Sequence, residues 1–98
     1  MKITKNLNGS ILTVALEGRL DTTTAPELEE ALKESMDAAT ALTLDFAKLD
    51  YISSAGLRVL LFAHKTMVKK DGMKVVNANE MVKEVFEVTG FADILNIE

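Results

Sequence analysis

The sequence predicts a single α/β domain in which a mostly parallel sheet of four to five strands packs against helices. Three observations support this fold class. Some segments alternate apolar and polar residues at a period of two, others carry apolar stripes at helical spacing, and the two kinds of segment follow each other along the chain. The predicted order over residues 1–98 is β-β-α-β-α-β-α. Strands joined through helices imply right-handed crossovers and therefore a largely parallel sheet.

Composition limits the possible functions. The chain has no cysteine and one histidine, so disulfides and thiolate catalysis are excluded, and we expect neither a metal nor a cofactor. The net charge of −4 disfavours direct binding to nucleic acid. No apolar run approaches the roughly 20 residues that cross a bilayer, and the N-terminus lacks the apolar segment of a secretory signal. We therefore expect a cytoplasmic protein without membrane insertion.

The chain begins with a predicted hairpin. Ile3 and Leu7 flank polar positions, Asn8-Gly9 is a favoured two-residue turn, and the segment ILTVALEGRL follows as the second strand. One face of that strand is apolar at a period of two and is expected in the core; it comprises Leu12, Val14, Leu16 and Leu20.

A first helix is predicted after this hairpin. Thr24 and Glu27 have the spacing of a capping box, and Pro26 lies in the first turn, where its missing N–H is tolerated. The apolar stripe of this helix consists of Leu28, Ala31, Leu32, Met36 and Ala39. The segment ALTLDFAKL then alternates as a strand, with Leu42, Leu44 and Phe46 on one face.

The second half of the chain repeats this alternation. A largely apolar helix is predicted over residues 54–70 and closed by Asp71-Gly72, and MKVVNA follows as a short strand. A third helix is predicted to begin at the cap Asn79 and to stop at Gly90. Its inward residues are Val82, Val85 and Phe86, and a last packing turn or short strand contains Phe91, Ile94 and Leu95.

The segment DYISSAGLRVLLFA places two serines at the start of the second helix. Serine is a favoured N-cap because its oxygen accepts from an N–H left free in the first turn. Capping requires only one serine, however, and does not require the small pair Ala55-Gly56 that follows. Small residues there would let another molecule's backbone or a phosphate approach the start of the helix.

A catalytic serine is poorly supported. The only histidine, His64, is on the same helix, about 15 Å from Ser54 along the axis at 1.5 Å per residue, so these two residues and Asp50 form no triad. The motifs of serine hydrolases and phosphate-binding loops are absent. Asp45 is expected to make a hydrogen bond at a loop end or at a helix start, and it forms no acid–base pair with Asp50. We therefore expect no enzyme activity.

A third interpretation makes the serine a phosphorylation site. Phosphoserine adds about −1.5 to −2 charges and three acceptor oxygens. At a helix start it would meet free N–H groups and the positive end of the dipole, and Arg58, one turn after Ser54, could reach it. A partner packed on the same turn would instead face a new buried charge. The turn would then switch binding with little change of fold.

These residues resemble the anti-sigma factor antagonists of bacteria, which are small STAS-domain proteins. The resemblance runs from Ile3 to Leu95 and is carried by EGRLDTTTAPELEEAL, LTLDFAKLDYISSAGLRVLL, KVVNA and VFEVTGFADIL. It implies a partner-switching cycle. The unphosphorylated protein binds a serine kinase that doubles as an anti-sigma factor and so frees the sigma factor. Phosphorylation ends the binding, and a serine phosphatase resets the cycle.

Alignment of the family's Gly-Leu pair implies that Ser54 is phosphorylated, with Ser53 as the second choice. Many members have an aspartate in place of Ser53 and a hydroxyl residue in place of Ala55, which leaves open how the kinase orients the serine. Asp21 matches an aspartate implicated in the kinase contact; the alternative is a loop cap before the first helix. The partner-binding surface implied by the resemblance comprises Asp21, Thr22, Ser53, Ser54, Ala55, Gly56, Leu57 and Arg58.

Two other functions stay open. A STAS domain can act as a scaffold, or as an accessory subunit of a membrane lipid transporter or of a signalling complex without sigma factors, and a pull-down would distinguish these. A small-molecule or nucleotide binder could use the helix start as an anion site, which titration with nucleotides would test. We expect a monomer, because no long apolar stripe is left unexplained.

Overall fold

The computed structural model describes residues 1–98 and contains five strands and three α-helices. The strands are β1 (Lys2–Asn8), β2 (Ile11–Leu20), β3 (Ala41–Ile52), β4 (Met73–Val76) and β5 (Asn96–Ile97). The helices are α1 (Ala25–Ser35), α2 (Ser54–Met67) and α3 (Glu80–Thr89), and short 3₁₀ helices follow α1 at Met36–Ala38 and α3 at Phe91–Asp93. The predicted α/β class and element order are confirmed, and β5 adds a fifth strand.

The strands form one sheet in their order along the chain, β1-β2-β3-β4-β5. β1 is antiparallel to β2, and all other neighbours are parallel. In the β2–β3 pair Val14 is opposite Leu44 and, after two register shifts, Leu20 is opposite Ile52. The carboxyl ends of β2 and β3 therefore lie next to each other, and the loop into α1 and the start of α2 emerge at the same edge of the sheet.

The core lies between one face of the sheet and the helices. The four predicted inward residues of β2 are each at most 2% exposed, and Leu42, Leu44 and Phe46 of β3 are at most 1% exposed. The opposite face keeps partial exposure at positions such as Thr13, Ala15 and Thr43. Parallel sheets usually carry helices on both faces. Here the strict alternation in the sequence corresponds to a sheet covered on one face only.

The hairpin turn is shifted by one residue from its predicted place. Asn8 pairs with Ile11 and belongs to β1, so the two turn residues are Gly9 and Ser10. Gly9 has a φ of +64°. Tight hairpin turns need a positive φ at their first central residue, which glycine adopts without strain. The predicted Asn8-Gly9 turn is wrong because this register brings the glycine to that position.

The remaining elements follow the predictions with two corrections. Asn79 caps α3 by accepting from the Val82 N–H at 2.8 Å, and Gly90 ends it with a φ of +82°, as expected. α2, however, ends at Met67 and not at position 70, because the following turn brings the Asp71 N–H to the Thr40 carbonyl at 2.8 Å. Ile94 is 47% exposed, so only its neighbours Phe91 and Leu95 pack on the core.

None of the helices combines the length and the apolar character needed to cross a membrane.

Candidate functional site

The candidate site is built where β2 and β3 end. The Leu20 carbonyl accepts a hydrogen bond from the Ser53 N–H at 2.9 Å, which ties the last residue of β2 to the residue before α2. The Asp21 loop and the serine turn are therefore neighbours in space although they are distant in sequence. Ligand sites of open α/β sheets form at such carboxyl ends.

Ser53 is the N-cap of α2. Its backbone is extended, with φ −103° and ψ 176°, and its Oγ accepts from the Gly56 N–H at 3.5 Å. Its carbonyl accepts from the Leu57 N–H at 3.0 Å, the first hydrogen bond of the helix. Ser53 is half-buried. The capping role that either serine could have taken thus belongs to Ser53.

Ser54 is the first residue of α2, and its side chain is exposed. Its hydroxyl makes no hydrogen bond within the protein, since the helix start is already capped by its neighbour. The free N–H groups and the positive end of the helix dipole lie at this same position. An enzyme can reach the Ser54 hydroxyl without breaking an internal contact.

Gly56 has a packing role. It is buried, and a Cβ placed on it would lie 2.7 Å from Leu20 Cγ and 3.0 Å from Ile52 Cγ1. Its small size therefore lets the first turn of α2 rest on the ends of β2 and β3, where we expected it to admit another molecule. Leu57 is 5% exposed and belongs to the core. The neighbours of both residues are the protein's own core residues, and their predicted contact with a partner stays a prediction.

Asp21 organises the loop before α1. Its Oδ1 accepts from the Thr23 hydroxyl at 2.8 Å, from the Thr23 N–H at 3.0 Å and from the Thr24 N–H at 3.1 Å. These bonds favour the charged carboxylate, so the pKa of Asp21 is lowered from its ordinary 3.8, with the Thr23 hydroxyl as the largest cause. The side chain keeps 30% exposure. The loop-cap role is thus present, and contact with a kinase stays a prediction.

The predicted capping box at α1 does not form. Thr24 is the N-cap residue, but its side chain makes no capping bond to the helix. Its Oγ1 instead accepts from the Asp21 N–H at 2.8 Å and donates to the Arg19 carbonyl at 2.8 Å. The Asp21 carbonyl takes up the Ala25 N–H at 2.8 Å. Asp21 and Thr24 bind each other, and this replaces the expected Thr24–Glu27 pair.

A groove runs between the starts of α1 and α2. It brings together three of the predicted binding residues, Thr22, Ala55 and Arg58, and its other lining residues are Ala25, Pro26, Glu29 and Val59. Sequence reasoning did not assign Pro26 or Glu29 to the site. Their spacing of three residues places them on one helix face, but only the contact between α1 and α2 shows that this face meets the serine turn.

Two further residues border the site and were missed from the sequence. Arg19 lies opposite Tyr51 in the β2–β3 register, and its guanidinium carbon is 4.3 Å from the centre of the Tyr51 ring. Its Nε is also 3.8 Å from Asp21 Oδ2. The guanidinium thus links the ends of both strands to the loop before α1.

The other titratable candidates lie outside this site. Asp45 lies within β3, and its Oδ1 accepts from the Ala47 N–H of the same strand and from Nδ2 of Asn77, the residue after β4, both at 3.0 Å. Asp50 is exposed, and His64 is half-buried on α2. No group of three or more acidic or histidine side chains is arranged to hold a metal ion.

Comparison with known proteins identifies the family. The model of the STAS domain family matches residues 2–98. A search of curated proteins finds no significant match. The chain is similar in structure to an anti-sigma factor antagonist from Mycobacterium paratuberculosis, with a TM-score of 0.89 and 24% identity over 98% of this chain and 83% of that chain.

Two further similar structures are forms of SpoIIAA. The anti-sigma factor antagonist SpoIIAA in its unphosphorylated form aligns with a TM-score of 0.77 and 16% identity, over 99% of this chain and 87% of that chain. The Bacillus cell fate determinant SpoIIAA in its phosphorylated form gives 0.76 and 16%, over 99% and 91%. These likenesses establish a shared fold. Because the family model spans almost every residue, the chain belongs to the STAS domain family.

Proposed function

We propose that this protein is an anti-sigma factor antagonist and that phosphorylation of Ser54 switches off its binding to a serine-kinase anti-sigma factor. The unphosphorylated protein binds the kinase and frees the sigma factor, and a serine phosphatase restores the binding form. The observation that carries the proposal is that the two serines have different roles. Ser53 caps α2, while the exposed Ser54 hydroxyl makes no internal hydrogen bond.

Because the cap and the free hydroxyl belong to different serines, Ser54 can be phosphorylated without loss of the fold. The Ser54 oxygen would attack the γ-phosphate of ATP, release ADP and give up its proton. The product places about −1.5 to −2 charges at the positive end of α2, where such charge is favourable. The cap from Ser53 to Gly56 is untouched. Membership of the STAS family supports this view, and so does the shared fold of SpoIIAA in both its unphosphorylated and phosphorylated forms.

The effect of the phosphate falls on the partner. Ser54 lies beside the groove whose lining includes Thr22, Ala55 and Arg58. A partner packed over this turn would have to bury the phosphate away from water or place its own groups against it. Either alternative costs several kcal/mol unless a cation in the partner matches the charge. We therefore expect binding to be lost while the domain stays folded.

A capture experiment tests the function. Immobilised wild type, Ser54→Ala and Ser54→Asp would be incubated with an extract of the source cells, and retained proteins would be identified by mass spectrometry. Wild type and Ser54→Ala should retain the same serine kinase, and Ser54→Asp should lose it. Ser10→Asp, which places the same charge in the exposed β1–β2 turn, is the matched control and should bind like wild type.

Two results would contradict the proposal. Retention of transporter subunits without a serine kinase would assign the chain to the accessory-subunit class. Equal retention of the kinase by Ser54→Asp and by wild type would show that charge at position 54 does not control binding.

A further inference from the structure

We propose that the partner-binding surface extends from Ser54 along the exposed face of α2 and receives an acidic amphipathic helix of the partner. The extension, here called the basic stripe, consists of Arg58 and Lys65 on α2 and of Lys69 in the turn that follows α2, around Leu61 and Phe62. This inference deepens the proposed function and rests on it, since it names the chemistry by which the kinase is recognised.

The geometry of α2 places these residues on one side. Ser54, Arg58, Leu61 and Lys65 follow each other at spacings of four, three and four residues, which keeps them on one helical face. α2 has 14 residues and so spans about 20 Å at 1.5 Å per residue. One continuous groove is lined by Arg58, Leu61, Phe62, Lys65, Thr66, Lys69 and Lys70.

The charge of the stripe is not neutralised within the protein. The chain carries a net charge of −4, yet Arg58, Lys65 and Lys69 take part in none of its ion pairs. Lys70, in contrast, donates to the carbonyls of Met36 and Ala39 at 2.9 Å each and is held in the fold. Neighbouring cations without counter-charges create a positive potential that attracts an acidic surface.

The floor of the groove favours a protein partner. Leu61 and Phe62 are half-buried, and the Lys33 ammonium of α1 lies 5.8 Å from the centre of the Phe62 ring. Nucleic-acid phosphates would use the cations alone and leave this apolar strip uncovered. An amphipathic helix buries its apolar residues in such a groove and places its carboxylates on the basic rims.

The stripe also explains how one phosphate acts on an extended interface. Ser54 lies at its N-terminal end, four residues before Arg58. A phosphate at that position attracts the Arg58 guanidinium and lowers the positive potential of the stripe. It also repels the carboxylates of the partner helix. The switch is thereby electrostatic, and its strength should fall as salt screens the charges.

The test uses the serine kinase recovered with the wild-type protein. Lys65→Glu/Lys69→Glu should weaken its binding by about tenfold or more, mainly through slower association, and should flatten the dependence of affinity on salt. Lys2→Glu/Lys48→Glu is the matched control, because these two lysines line the uncovered face of the sheet. It changes the net charge equally and should bind like wild type. Circular dichroism would verify that all variants fold.

The outcomes separate this inference from the proposed function. Wild-type affinity in Lys65→Glu/Lys69→Glu, with loss of binding in Ser54→Asp, would overturn the stripe and leave the switch intact. If both double variants bind the kinase equally weakly, the loss of affinity follows from net charge alone, and the proposed role of the stripe is also wrong. If the wild type recovers no serine kinase, the proposed function fails and the stripe fails with it.

A second measurement locates the partner on the surface. Amide chemical-shift changes on adding the kinase should run along the exposed face of α2 from Ser54 and into the following turn at Lys69. Changes confined to residues 53–58 would overturn the extension. Single-stranded DNA and anionic vesicles serve as competitor probes. If either binds the stripe more tightly than the kinase at the same salt, the partner is a polyanion and not an acidic helix.

Discussion

The starts of α1 and α2 are neighbours at the ends of β2 and β3, yet they use their polar side chains in opposite ways. Before α1, Asp21 and Thr24 satisfy each other, and the Thr23 hydroxyl is taken up by the Asp21 carboxylate. Before α2, the one side-chain bond is made by Ser53, and the next hydroxyl, on Ser54, is left free.

The polar side chains before α1 hold a loop in place, whereas those at the start of α2 leave a hydroxyl available for reaction. A closed set of hydrogen bonds among Asp21, Thr23 and Thr24 fixes the α1 loop and favours the ionised form of Asp21. The hydroxyls of Thr23 and Thr24 cannot be modified without loss of a contact, and the one free hydroxyl of this loop, on Thr22, lies before the helix and not in its first turn. The doubled serine of α2 assigns the cap to one residue and the exposed hydroxyl to the other. A charge can therefore be added at Ser54 while the helix keeps its cap.

The largest expected effect concerns the packing beneath α2. Gly56→Val should lower the free energy of unfolding by about 3 kcal/mol and the Tm by more than about 10 °C, since even the first added carbon meets Leu20 and Ile52. Ala55→Val, one position earlier and half-buried in the groove, is the control and should change stability by only about 0.5 kcal/mol. Thermal unfolding measures both. Equal Tm values would show that Gly56 is not required for close approach.

The second effect concerns the α1 loop and depends on pH. The pKa of Asp21 is lower in the folded protein than its ordinary 3.8. Its charge therefore stabilises the fold fully above pH 3.8, and this contribution is lost as the pH falls through the lowered folded value. Asp21→Asn should be less stable than wild type at pH 7, and the difference should vanish in acid. Urea unfolding across this range would detect it, and a constant difference would contradict the account.

The cause of that lowered pKa can be tested directly. Thr23→Val removes the hydroxyl that is its largest cause, so the pKa of Asp21 should rise toward 3.8 in an NMR titration of the carboxyl carbon. Thr22→Val is the matched control, because the exposed Thr22 makes no hydrogen bond to Asp21. In this variant the pKa of Asp21 should match that of the wild type. Equal pKa values in both variants would refute the role of Thr23.

The smallest effects distinguish the two serines. Ser53→Ala removes the α2 cap and should cost about 0.5–1 kcal/mol, at the low end for N-caps because the bond to the Gly56 N–H is long, at 3.5 Å. Ser54→Ala should change stability by less than about 0.5 kcal/mol, because an exposed residue without contacts is replaced by a better helix former. Denaturant unfolding would measure both. The reverse order would assign the cap to Ser54.

The fold was largely predictable because its strands and helices have distinct apolar periods. The alternation of Leu42, Leu44 and Phe46 and the caps Asn79 and Gly90 are local signals, and the structure reproduces them. The hairpin turn and the end of α2 were placed wrongly because they depend on strand register and on a distant carbonyl, which no local pattern encodes.

The site was predictable in its chemistry and less so in its geometry. Two serines at a helix start predicted a cap with a spare hydroxyl, and the family resemblance favoured Ser54 for phosphorylation, but the sequence did not decide which serine caps the helix. The extended backbone of Ser53 decides it. Gly56 was assigned to the surface because a small residue can face a ligand or a core with equal ease. Arg19, Tyr51 and Glu29 join the site only through strand register and helix contact.

The most direct test of the central claim is the position of the phosphate. Wild type, Ser53→Ala and Ser54→Ala would be incubated with ATP and the captured kinase and then analysed by intact-mass and peptide mass spectrometry. The account predicts one phosphate on Ser54 in the wild type and in Ser53→Ala, and none in Ser54→Ala. A phosphate on Ser53, or full incorporation into Ser54→Ala, would contradict it.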